Sequence, residues 1–456
     1  MRRLVTPALI STALLGAGLP AVAAEKAWLT ERAPGQTPTT GTLEFSIWEE
    51  TKKAERDART SGERNHDPEL NAYVRSVLDK VGGDYKGDLR LYVMDRPFFN
   101  ASMAPNGYTE VWTGLLLRAQ TEDELAFVMG HEFAHYRLNH SVKAFENVKS
   151  NQNAATAATV VIAVLGAGAA ANAGTYSAAR DISNLTRGLI DAVYLGSIAA
   201  YFAYSRDNET EADNRGNVFA HQAGYDAHAA ARVWTYIIDE NAASDYERTR
   251  NRGGRINVFG SHPLEKERVA ALDAQADAFK DAPDTVEAEK QKRAAYRAHI
   301  RPHLGKWLKD DLRRQDYGQT LFLIGRLKQD GLDQGVLSFY AGEAYRLRAK
   351  DNVGSQDLLA AANAYTEAAT FADAPAQTRR QLGETYRRMG RTQDAIMAYE
   401  AYLTANPQAD DAWMVEDLLK GLKAAPATPA TEPVKDGPVK ADSAETESGK
   451  NESNGG

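Results

Sequence analysis

The chain has 456 residues, 43% of them apolar, enough for two globular units with a core each. Its formal charge of -8 argues against nucleic acid as a partner. It contains no cysteine, which excludes disulfides and confines any metal site to His, Asp and Glu ligands.

The start, Met1-Arg2-Arg3, is basic. An apolar run from Leu4 to about Pro20 and the small residues Ala21, Val22, Ala23 and Ala24 follow it. This is the layout of a signal peptide over residues 1–24, too short for a membrane span. Its removal takes Arg2 and Arg3 and moves the formal charge from -8 to -10. Asp67-Pro68-Glu69 is a helix start, with a capping acid before a proline, and the helix runs roughly from Leu70 to Val81. Leu89 to Met94 reads as a strand. Gly107 to Thr113 reads as a second, after the turn Pro105-Asn106-Gly107. Thr121-Glu122-Asp123-Glu124 is a capping box that opens a long helix.

Between Lys149 and Arg180 no charged residue occurs, and Leu189 to Tyr204 is interrupted only by Asp191. The first stretch is mostly Ala, Gly, Val and Thr, strongly apolar only over Val160 to Leu165. Residues 150–204 therefore read as an apolar helical insertion that covers a site or touches a membrane peripherally. A membrane-spanning hairpin over 155–204 is the competing reading.

Past about Asp310 an internal repeat appears. Leu382-Gly383 with Tyr386, then Ala395, Tyr399 and Pro407, has tetratricopeptide spacing. A second copy has Gly342 and Tyr345, then Ala361 and Tyr365, with about seven more residues between its helices. The resulting division is a metallopeptidase unit at 25–300, a tetratricopeptide-like unit at 301–423, and a Pro-, Ala-, Glu- and Lys-rich tail at 424–456 that reads as disordered. The fold class is mainly α, with a small sheet in the first unit and a helical solenoid in the second.

The chemistry centres on His131-Glu132-Phe133-Ala134-His135. Residues four apart share a helix face, so both imidazoles reach one metal ion, and Glu132 lies beside them to take a proton from water. Val128, Phe133 and Leu138 give this helix a buried side. A catalytic zinc takes three protein ligands and keeps one position open. Glu209 is the best third ligand, and Asp213, one helical turn on, suits a carboxylate that orients a ligand imidazole. Glu211 points elsewhere, into solvent. His262, ahead of Pro263, reaches from a loop and offers two roles, a donor to a developing oxyanion or a zinc ligand in a resting state. His140 falls out of phase with the ligand face and reads as a surface residue. His66, His221, His228, His299 and His303 lack ligand-like spacing.

Taken together, these residues resemble the gluzincin peptidases related to the CAAX prenyl protease and the heat-shock membrane protease. The match covers roughly Tyr73 to Leu272. It includes Asn100-Ala101, Pro105-Asn106-Gly107, Gly114-Leu115-Leu116, the His131 motif, Glu209 to Asp213, and His262-Pro263 with Arg268. The resemblance implies one zinc ion per chain on His131, His135 and Glu209, with Glu132 as general base. It gives His262 a switching or transition-state role, with Arg268 as further support for the oxyanion. It also implies that Gly107, Tyr108, Thr109, Glu110 and Val111 form an edge strand on which substrate backbone lies.

The resemblance further implies a periplasmic endopeptidase, associated with the outer membrane. Its substrates would be unfolded or misassembled envelope proteins, and its repeats would bind clients or the outer-membrane assembly machinery. Two departures stand out: Asn106-Gly107 replaces a pair of glycines, and the cysteines of repeat-bearing relatives are missing. The alternative is a chaperone or adaptor whose zinc site stays mostly shut.

Overall fold

The computed structural model describes residues 31–144, 205–250, 256–257, 263–264, 266–281, 284–350 and 352–424. The expected signal peptide (1–24), the apolar insertion (150–204), His262 and the tail past 424 lie outside these residues.

Helix α1 (Leu43–Thr60) leads to α2 (Pro68–Gly82), which starts as the sequence dictates. The Asp67 carboxylate accepts from the amides of Glu69 and Leu70, both at 2.9 Å. Strands β1 (Arg90–Met94), β2 (Ala101–Met103) and β3 (Tyr108–Trp112) follow and form one sheet in the order β1-β3-β2.

The expected edge strand is therefore the middle one. Gly107 precedes it, and Tyr108, Thr109, Glu110 and Val111 pair in parallel with β1. Thr109, Glu110 and Val111 also pair antiparallel with β2. The cause is the Pro105-Asn106-Gly107 loop, in which the Gly107 amide donates to the Ala104 carbonyl at 2.8 Å and Gly107 adopts φ 79°. A Cβ on Gly107 would stand 2.2 Å from the Asp88 carbonyl oxygen, so glycine is required there. This three-residue hairpin folds β2 back onto β3 and makes β2 an edge strand, opposite β1.

After α3 (Thr113–Arg118) comes α4 (Glu122–Arg137), which carries the His131 motif. The Thr121 hydroxyl accepts from the Glu124 amide at 3.2 Å. The returning Glu124 carboxylate caps the amide of Gln120 at 2.8 Å, one residue earlier than a capping box would have it. Every residue from Asp123 to Tyr136 is buried, so α4 is central, with more than a single buried side. Helices α5 (Arg206–Gln222), α6 (Ala229–Ala242) and α7 (Glu247–Arg250) follow. A short antiparallel pair comes next, β4 (Ile256–Asn257) with β5 (Pro263–Leu264). Beyond it lie α8 (Lys266–Phe279) and α9 (Val286–Ile300).

The chain then passes through one 3-10 turn, Arg301–His303, into α10 (Leu304–Leu312) and α11 (Tyr317–Lys328). The apolar core does not stop at 300–301. It runs from Val74 and Phe127 through Tyr296 and Ile300 to Trp307, Leu323, Leu337 and Ala364. Antiparallel pairs complete the helical C-terminal region: α12 (Gln334–Ala349) with α13 (Gln356–Ala368), and α14 (Thr378–Arg388) with α15 (Thr392–Ala405). Helix α16 (Ala412–Ala424) packs Val415 and Leu419 against Tyr399 and Tyr402.

Within each pair a tyrosine ring lies on a glycine. A Cβ on Gly342 would stand 2.6 Å from the Tyr365 ring, and one on Gly383 2.7 Å from Tyr399. These rings thus fill the gap inside each pair, and Leu382 reaches back to the cluster around Tyr365. Among the described residues no helix is long and apolar enough to cross a membrane.

Candidate metal centre

The site exists because α4 and α5 cross with their backbones in contact. A Cβ on Gly130 would lie 2.4 Å from the Gly216 carbonyl oxygen, and one on Gly216 2.5 Å from the His131 amide nitrogen. Glycine at both positions permits that approach. It places Glu209 and Asp213, two and one turns before Gly216, over the histidines of α4.

The ligand atoms of His131, His135 and Glu209 all lie within 4.8 Å of one another, and all three residues are buried. The two Nε2 atoms face each other at 3.1 Å. Glu209 Oε2 lies 3.7 Å from His131 Nε2, and Oε1 lies 3.5 Å from His135 Nε2. Asp213 Oδ1 is 3.0 Å from His131 Nδ1 and accepts a 3.3 Å bond from Trp234 Nε1. Trp234, on α6, also meets the His131 ring edge-on.

Electrostatics favour positive charge here. Burial opposes a proton on His131, but Asp213, Glu209 and Glu132 outweigh it and raise its pKa above the ordinary value. Burial would raise the Asp213 carboxyl, yet Arg268 and His131 hold it down at about 2. Glu132 is fully buried. Three buried acids, Glu132, Glu209 and Asp213, thus share the site with the guanidinium of Arg268. Buried carboxylates are costly without compensating charge. Two imidazoles and a carboxylate converging on one point are the donor set that a divalent zinc ion takes.

Two expected roles need correction. Arg268 was expected to face an oxyanion; its Nε instead donates to Asp213 Oδ2 at 2.6 Å and its Nη1 lies 3.2 Å from Glu209 Oε2. His140, expected at the surface, is fully buried, with its Nδ1 2.9 Å from His135 Nδ1. Its Nε2 lies 3.2 Å from Glu211 Oε2, so Glu211, although its side chain is 52% exposed, is tied to the site. The reason is local: α4 ends at Arg137, and Asn139 turns the chain with φ 56°. Helical phase extrapolated from His131 therefore fails at His140. Burial lowers the His140 pKa to about 4 against the pull of Glu211, leaving a neutral ring. Spacing alone carried no signal for Trp234 or for the Gly130–Gly216 crossing.

Known proteins resemble this chain in sequence. The chain is 30% identical over 207 residues to a Vibrio cholerae protein described as a beta-barrel assembly-enhancing protease, covering 45% of this chain and 38% of that one. It is 28% identical over 205 residues to the mitochondrial metalloendopeptidase OMA1 of Schizosaccharomyces pombe, covering 44% of this chain and 51% of the other. The beta-barrel assembly-enhancing protease of Escherichia coli K12 is 23% identical over 392 residues, or 81% of this chain and 75% of that protein. The chain thus spans well under two thirds of the first two relatives. The family model described as Peptidase family M48 matches residues 64–276, a span that holds α2 to α6 and most of α8. The crossing of α4 and α5 and the ligand cluster lie inside that match, so the part of the chain that builds the site, residues 64–276, matches a peptidase domain of family M48.

Proposed function

We propose that this chain is a zinc-dependent endopeptidase of the bacterial envelope that degrades misfolded or misassembled proteins. The observation that supports it most is the buried convergence of His131, His135 and Glu209 around one point, with Glu132 on the same helix. These three side chains would hold the ion. When bound, zinc supplies Lewis acidity that polarises a peptide carbonyl and acidifies water. Glu132 takes the proton from the attacking water and passes it to the leaving amine. Asp213 accepts from His131 Nδ1 and so keeps the Nε2 lone pair turned toward Glu209 and His135. Arg268 steadies both carboxylates. His262 remains the proposed oxyanion donor or resting-state lock.

Substrate recognition by strand addition passes from β3 to β2. Asn100 and Ala104 bond to Trp112 and Tyr108 of β3, so alternation turns the backbone groups of Ala101 and Met103 outward. The substrate class follows the relatives named as beta-barrel assembly-enhancing proteases, and envelope clients or outer-membrane assembly components would dock on the C-terminal helices. The place of action is the periplasm.

A second reading, a chaperone or adaptor with a mostly closed site, draws on burial. His131, Glu132 and Glu209 are 0% exposed and the edge residues Ala101 and Met103 1%. Metal content and casein cleavage of wild type, Glu132→Gln and His262→Ala separate the readings. One zinc per chain, with cleavage lost in Glu132→Gln while zinc stays, supports the peptidase. Cleavage indifferent to Glu132, or no zinc, favours the adaptor. Unchanged outer-membrane protein levels after gene deletion would remove the substrate assignment.

A further inference from the structure

We propose that His140 and Glu211 are positioning residues that fix the tautomer and ring orientation of His135, as Asp213 does for His131. This rests on the metallopeptidase reading and deepens it. His135 turns Nε2 toward His131 Nε2 at 3.1 Å and toward Glu209 Oε1 at 3.5 Å. To ligate there, His135 must keep its proton on Nδ1. That atom is 2.9 Å from His140 Nδ1. Two ring nitrogens so close need a single proton between them, so His140 accepts at Nδ1 and carries its own proton on Nε2. The Nε2 atom of His140 in turn lies 3.2 Å from Glu211 Oε2, which accepts. With His135 ligating through Nε2, donation runs from His135 to His140 to Glu211.

The two ligand histidines are thus oriented by different means, and charge explains the difference. Asp213 touches His131 directly, and its negative charge is balanced by Arg268 at 2.6 Å. A carboxylate placed directly on His135 would add a fourth buried acid to Glu132, Glu209 and Asp213. An intervening neutral imidazole moves that charge to Glu211, whose side chain is 52% exposed and so screened by water. The fold holds His140 for this purpose. The left-handed turn at Asn139 redirects the chain after α4, and Asn139 Oδ1 accepts from Arg32 Nη2 at 2.6 Å. The Arg32 amide donates to the Arg137 carbonyl at 2.8 Å, tying the same turn from the other side.

The test is zinc affinity of the full chain, measured by competition with a chromophoric chelator, for wild type, His140→Leu, His140→Asn and Glu211→Ala. Asn places an acceptor oxygen near the former Nδ1, whereas Leu offers none. Removal of a partner behind a metal-bound histidine costs about 10–100-fold in affinity. His140→Leu should bind zinc weaker by that factor, and His140→Asn should recover most of the loss. Glu211→Ala, at a half-exposed position that folding tolerates, should weaken zinc about 3–10-fold, less than His140→Leu because it leaves the first partner in place. Zinc binding by His140→Leu within twofold of wild type would overturn the proposal. So would an Asn variant as weak as the Leu variant, or a Glu211→Ala variant equal to wild type. If wild type itself binds no zinc, the metallopeptidase reading fails instead.

Discussion

Gly130 and Gly216 touch: the carbonyl oxygen of Gly216 lies where a Cβ of Gly130 would need to be, 2.4 Å away. The contact sets how deeply α5 sinks onto α4, and with it the reach of Glu209 toward His135. An alanine at either position must push the helices apart. Overpacking of this kind costs about 1–3 kcal/mol. Gly130→Ala and Gly216→Ala should each lower thermal stability by that amount and reduce zinc occupancy. Because both overpack one contact, the double variant should lose less than the sum. Thermal unfolding with metal analysis checks this, and unaltered melting in both single variants would refute it.

Asp213 is the hub between ligand and scaffold, since it meets His131, Trp234 and Arg268. Asp213→Ala removes the acceptor behind His131 and takes one carboxylate from the Arg268 guanidinium, which keeps Glu209. Zinc affinity should fall about 10–100-fold. Chelator competition measures this directly. A variant with wild-type affinity would show that His131 needs no acceptor at Nδ1.

These relationships also mark what the sequence discloses. His131, Glu132 and His135 were legible because helix geometry alone puts positions four apart on one face. Glu209 and Asp213 followed from chemistry: a chain without cysteine has few ways to complete a zinc site. His140 was hidden because one left-handed residue, Asn139, breaks the phase on which the extrapolation depends. The turn at Gly107 was read correctly, but Ala101-Ser102-Met103 is too short to show alternation, so the strand that takes the sheet edge went unseen. The change of style near Asp310 is not a gap in packing, because Trp307 and Leu323 continue the core of α2 and α4.

Arg118 joins the two regions through buried charge. Its Nη2 lies 2.7 Å from Glu240 Oε1 on α6 and 2.8 Å from Asp311 Oδ1 on α10. Burial would raise the Asp311 carboxyl, but Arg118, Arg314 and the Thr320 hydroxyl hold it at about 2. A carboxyl depressed on folding stabilises fully above its unfolded pKa of about 3.9 and loses that contribution as pH falls toward the folded value. Asp311→Asn should therefore be less stable than wild type at pH 7, by about 2–3 kcal/mol. The gap should close between about pH 5 and pH 2. Urea unfolding across that range tests the sign, and a gap that widened on acidification would contradict it.

The last pairs of helices should open without the site. Tyr399 lies on Gly383, with Tyr402, Val415 and Leu419 in a cluster separate from the main core. Gly342, by contrast, sits beside Ala341, which belongs to the main core. A valine at 383 would drive its side chain into the Tyr399 ring and loosen α14 to α16 alone. A valine at 342 would displace Tyr365 and disturb packing that continues into α11 and α10. Native-state hydrogen exchange distinguishes the two. Gly383→Val should lose protection only from α14 onward, with zinc content and casein cleavage intact, whereas Gly342→Val should lower protection in α10 and α11 as well. If Gly383→Val instead stripped protection from α4 and α5, the C-terminal helices and the peptidase domain would be one cooperative unit, and a client bound there would act on the site through shared stability.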